Sequence, residues 1–149
     1  MTTSSEITHR HRTMASGGLA VWAPCIADAV LILISGEIHF HLWRGPYRHL
    51  TVGHINDLFL LQVIGCLVVA IAIVATRHLL TVLAGAGLMA GTFIGFLISH
   101  YRSAGLFGWH DPYTTSDSNW ALAVEIAATV LCLVTAAVLW RSSRPSASA

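Results

Sequence analysis

Four apolar stretches, Pro24–Trp43, Ile55–Thr76, Leu79–Tyr101 and Asn119–Trp140, fill most of this chain. Each is about 20 residues long, which at ~1.5 Å per residue matches a hydrocarbon core of roughly 30 Å. The pattern predicts an all-α fold, an up-and-down four-helix transmembrane bundle over residues 19–140. Composition agrees: 55% of the residues are hydrophobic, 10% are charged and the mean hydropathy is +0.69, too apolar for an ordinary soluble domain. Four spans leave no room for a soluble catalytic domain. A net charge of +1 implies neither a nucleic-acid partner nor strong binding to anionic lipid.

Orientation follows from the arginines, because the chain has no lysine. With four spans both termini share one side, which carries Arg10, Arg12, Arg77, Arg141 and Arg144; Arg44, Arg48 and Arg102 fall on the other. Positive charge collects in the cytoplasm, so a multi-pass cell-membrane protein with cytoplasmic termini is expected. Residues 1–18, with the run His9-Arg10-His11-Arg12, read as a disordered cytoplasmic tail leading into a retained signal anchor, and 141–149 as a second disordered tail. Asp28 sits about one turn inside the cytoplasmic end, where helix capping or loop solvation accounts for it.

Cys25, Cys66 and Cys132 belong to three different spans and form no CxxC motif, so they read as small buried hydrophobes rather than redox chemistry. Gly87, Gly91 and Gly95 recur every fourth residue in the third span. Such a face permits close backbone approach, inside the monomer against a patch such as Gly65, or between subunits in self-association.

Chemistry concentrates at one membrane face. Six of the nine histidines fall where the first three spans meet the outer side. The first span ends Glu37-Ile-His39-Phe-His41-Leu-Trp43; after a turn at Arg44-Gly45-Pro46-Tyr47 the second begins His54-Ile-Asn56-Asp57. The third ends Ser99-His100-Tyr101-Arg102, and the fourth contributes Glu125 about two turns inward. An ionisable side chain in hydrocarbon is costly, so Glu37 and Glu125 are expected to face the bundle interior.

Helical spacing sorts these residues. His39 and His41 are two apart, about 200° around a helix, so only one faces inward. Glu37 and His41 share a face, as do His54 and Asp57, and a carboxylate beside an imidazole can orient it as a metal ligand. Of the two histidines His41 is preferred, because only it has an acid at i−4. In an up-and-down bundle the first and third helices are diagonal, which sets His41 opposite His100 as a candidate pair of axial ligands to haem b. Copper or zinc is the alternative, with His41, His54, His100, Glu37 and Asp57 as candidate metal ligands. Interfacial anchoring competes with both, since Trp43, Tyr47, Tyr101, Trp109, Tyr113 and Trp120 form an aromatic belt at the headgroups.

The runs Gly45-Pro-Tyr-Arg-His-Leu-Thr-Val-Gly53, Leu58-Phe-Leu-Leu-Gln62, Gly105-Leu-Phe-Gly-Trp109 and Val124-Glu-Ile126 resemble those of small, uncharacterised four-span integral membrane proteins of high-GC bacteria. The resemblance implies the four-span fold and its topology, and brings no activity with it.

Three function classes follow. One is a module binding metal or haem at the extracytoplasmic face, and a second is an accessory subunit of a membrane complex whose polar cluster is internal glue. The third is a small proton-coupled transporter using Glu37 or Glu125. No HExxH or GxSxG motif and no phosphate loop occurs, so no catalytic residue is assigned.

Overall fold

A computed structural model describes residues 4–111 and 116–143, with side chains from Val21 onward. The chain forms α1 (Ser4–Arg44), a 3-10 turn (Val52–His54), α2 (Ile55–Thr76), α3 (Leu79–Tyr101) and α4 (Ser116–Ser142). All four helices are long and apolar enough to cross a membrane, the crossing segments being Val21–Arg44, Val52–Thr76, Leu79–Tyr101 and Ser116–Ser142. The expected all-α four-helix bundle is what forms, and the chain is a multi-pass membrane protein. Helices are what hydrocarbon permits, because each satisfies its own backbone without water. Pro24 lies within α1 rather than at its start, at the loss of one backbone hydrogen bond. Side chains of the expected N-terminal tail and most of the expected C-terminal tail, with Tyr113 of the aromatic belt, lie outside the described residues.

The helices form a ring in chain order. α1 packs against α2 and α4, and α3 closes the ring between α2 and α4. The diagonal pair α1 and α3 barely touches, and α2 and α3 meet least closely of the adjacent pairs. At one end α2 and α3 are joined by Arg77 and His78 alone. Arg77 adopts a left-handed conformation (φ 49°) and donates its N–H to the Ile73 carbonyl at 2.8 Å; the His78 ring accepts from the Leu80 N–H at 3.3 Å. This tight reversal defines a hairpin end. The opposite, loop end carries residues 45–51 and 102–111.

All four helices contribute to the apolar core, and on the two with the most buried residues burial follows a heptad. On α1 it runs Cys25, Asp28, Ile32, Ser35, His39, Leu42; on α4, Ser118, Ala121, Glu125, Ala128, Cys132, Thr135. Alternating steps of three and four keep one seam facing the partner helix, as in other near-parallel bundles. Lipid-facing positions are large and apolar, for example Leu61, Val68 and Ile71.

The glycine face is not a packed contact inside the bundle. A methyl group built on Gly87 or Gly91 would meet nothing within 4 Å, and one on Gly95 would only touch Leu106 at 3.6 Å. Close approach occurs at other glycines: Gly85, where an added Cβ would stand 3.0 Å from Ile32 and 3.1 Å from Ile73, and Gly36, 3.0 Å from Cys66. The core stripe of α3 passes through Val82, Gly85, Ala86 and Met89, so the every-fourth-residue glycines sit on the adjoining face. A Cβ built on Gly65 would stand 3.4 Å from Leu88 instead.

Candidate functional site

At the loop end, the slack between α2 and α3 opens a cavity of about 550 Å³. Leu58, Phe59 and Gln62 line one wall from α2, and Thr92, Phe96 and Ser99 the other from α3. Gly87 and Gly91 border it together with the 63%-exposed Leu61, so it opens sideways through the membrane-facing surface. Leucines at these glycines would fill it.

Two ionisable groups close its inner side. His39 of α1 and Glu125 of α4 both line the cavity, only 6% and 2% exposed, with His39 Nε2 3.5 Å from Glu125 Oε1. The His39 ring is held from both sides, because Nδ1 donates to the Ser35 carbonyl at 2.8 Å and the ring packs on Phe59, centroids 5.3 Å apart. With its Nδ1 proton committed to the backbone, Nε2 is the nitrogen that meets the carboxyl group. The imidazole and the carboxyl group therefore face each other through Nε2 and Oε1. At 3.5 Å the contact is longer than a good direct hydrogen bond, leaving each group able to engage a third polar atom.

The loops roof this site. Tyr47 stacks on Phe59 (4.7 Å) and meets Trp109 edge-on (5.5 Å), and its hydroxyl donates to Asp111 Oδ2 at 3.1 Å. Burial, reinforced by the adjacent Asp111 charge, raises the Tyr47 hydroxyl above its ordinary pKa. Asp111 is fixed in turn: its N–H donates to the Ser99 carbonyl at 3.0 Å and its carbonyl accepts from His100 Nδ1 at 2.9 Å. The two loops touch at Gly53, whose φ of 61° suits glycine and whose position leaves no room for a Cβ against the Phe107 backbone.

The expected ligands are spread over three places. His100 points into the roof, stacked on Phe96 and edge-on to Tyr101. His54 pairs with Asp57, Nδ1 to Oδ2 3.2 Å, and both are exposed. His41 and Glu37 lie on the outer face of α1, in a shallow recess with Phe40, Arg44 and Gly45. Among the described residues no group of three His, Cys, Asp or Glu side chains converges to hold a metal ion. The inward histidine is His39, because the heptad seam of α1 passes through positions 35, 39 and 42. For the same reason Glu37 faces outward, against expectation, while Glu125 faces inward as expected.

Asp28 also departs from its expected solvated place. It lies on the same seam, 0% exposed, and neither carboxylate oxygen has a hydrogen-bond partner among the described residues; the same holds for the Thr135 and Ser35 hydroxyls. Two buried carboxyl groups thus sit on one α1/α4 interface, Glu125 toward the loop end and Asp28 toward the hairpin end. Heptad spacing was the signal that marked both.

No family model matches the chain, and neither does any curated protein or solved structure.

Proposed function

We propose that this protein is a membrane-embedded binding module for a lipid-soluble amphiphile that enters sideways between α2 and α3 and sets its polar head against His39 and Glu125. The observation that carries this reading is the buried imidazole–carboxyl pair at the back of a largely apolar cavity open to the membrane. A mostly apolar pocket of roughly 300–1,000 Å³ with a few convergent polar groups is the usual form of a small-molecule site. A ligand hydroxyl or carbonyl can exchange hydrogen bonds with Nε2 or the carboxyl group, and Gln62 and Ser99 supply further polar contacts along the walls. The arginine distribution supports placing the loop end, and with it the cavity, on the extracytoplasmic side of the cell membrane with cytoplasmic termini. A haem or metal site would need donors from the three separate places described above, so the cavity accounts for more of the geometry.

The test uses a variant whose only tryptophan is Trp109, titrated in vesicles with a brominated long-chain alcohol that quenches nearby indole. Saturable quenching is expected, abolished by Gly91→Phe, which fills the cavity, and weakened by Glu125→Met. Linear, unsaturable quenching that is the same in all three proteins would refute the reading.

A further inference from the structure

The lining of the cavity decides which head groups it can hold. Among the described residues its ionisable side chains are His39, Tyr47, Asp111 and Glu125, and no arginine or lysine lines it. A phosphate, sulfate or carboxylate head would shed its water to meet two acidic groups with no cation to receive it, which is costly in an apolar wall. A cation meets the opposite conditions: the carboxyl groups of Glu125 and Asp111, and the rings of Tyr47, Phe59 and Trp109 clustered at the same loop end. Aromatic rings attract an ammonium group electrostatically, more strongly where water is excluded.

The back wall narrows the choice further. Nδ1 of His39 donates to the Ser35 carbonyl, so in the neutral ring Nε2 is an acceptor. An ionised Glu125 offers only acceptors as well, and Nε2 and Oε1 stand 3.5 Å apart. Two facing acceptors at that separation call for a donor with two N–H bonds on one atom. A hydroxyl has a single hydrogen and serves only one of them. A protonated primary or secondary amine donates to both and neutralises the carboxylate, and such charge-assisted hydrogen bonds are roughly twice as strong as neutral ones. A cation draws the pair into this state by binding it best.

We propose that the ligand of this cavity is a long-chain primary or secondary amine in its ammonium form, its N–H groups on Glu125 and His39 beneath the Tyr47 and Trp109 roof, its chain lying along α3 toward the membrane interior. The proposal rests on the cavity being the amphiphile site described above, and names the class that site selects. The α3 wall supplies the length. From Ser99 to Gly87 it runs about 18 Å at ~1.5 Å per residue, with Thr92 and Leu88 lining the cavity between. Head and chain are then ordered like those of a lipid in the same leaflet, head toward the loop end, so the ligand enters without turning over.

The test is a competition on the full-length protein whose only tryptophan is Trp109, in phosphatidylcholine vesicles at neutral pH with the brominated alcohol bound. Unbrominated amine, alcohol, trimethylammonium and sulfate compounds of one chain length are added, counted as mole fraction in the membrane. The amine should restore half the fluorescence at a mole fraction on the order of tenfold below the alcohol, the worth of one charge-assisted contact. The trimethylammonium compound, which keeps the charge but has no N–H, should fall between the two, and the sulfate should compete least. Glu125→Gln should bring the amine to within about twofold of the alcohol measured on the same variant; there the alcohol also reports that the cavity is formed, and the series on the protein with Glu125 intact stands without it. Alcohol, trimethylammonium or sulfate as effective as the amine, or an amine advantage that survives Glu125→Gln, would overturn the amine assignment and leave the amphiphile cavity standing. Quenching that never saturates, with no displacement by any of the four, would remove the cavity reading itself and this assignment with it.

Discussion

Replacing His39 and Glu125 singly and together measures whether the pair at the back of the cavity is a unit. Both residues are almost fully buried and face each other at 3.5 Å. His39→Leu leaves the Glu125 carboxyl in an apolar wall without its imidazole, and Glu125→Met strands the imidazole Nε2. Removing one member of a buried pair costs about 3–5 kcal/mol, while replacing both with apolar side chains of similar volume is often near neutral. If both groups are ionised, their attraction at an effective dielectric constant of ~20 is on the order of 5 kcal/mol, a scale that allows coupling of that size. The single variants should therefore each lose roughly 3 kcal/mol and the double variant less than either, a coupling of at least about 3 kcal/mol. Reversible unfolding in mixed micelles, followed by circular dichroism, reads all four proteins. Additive losses would mean that the two groups do not act together.

Three other substitutions separate the roles of neighbouring parts. Gly91→Leu should leave thermal stability near wild type, since its side chain enters the cavity, whereas Gly85→Leu should lower it sharply by driving into Ile32 and Ile73; equal melting temperatures would contradict the packing described. Tyr47→Phe should cost about 1 kcal/mol for the lost hydrogen bond to Asp111. Because the folded-state pKa of Tyr47 is raised, the folded protein keeps this proton where the unfolded chain releases it. Stability should then fall as pH climbs past about 10, and a pH titration of unfolding should show that fall reduced in the phenylalanine variant. In intact cells an impermeant thiol reagent should label Ser116→Cys and spare Ser143→Cys; the reverse pattern would invert the orientation.

Fold class was legible because one signal, the length of the apolar stretches, is imposed by the bilayer itself. Which side of each helix faces inward was harder to read. In water, hydrophobicity separates the core from the surface, but lipid makes both apolar, so Leu61 and Ile71 on the outside look no different from Ile32 and Ile73 within. What distinguishes the inside is smallness and polarity at heptad spacing: Cys25, Asp28, Ser35 and His39 on α1, and Ser118, Ala121, Glu125, Ala128, Cys132 and Thr135 on α4. The carboxylate at i−4 marks His41, but a local pair counts for less than the register of the whole helix, which turns His39 inward. The glycines misled for a related reason: small residues in lipid permit a close contact without requiring one. Gly87 and Gly91 meet no neighbour and border the cavity, so the same residue type that packs helices elsewhere here leaves a space between them.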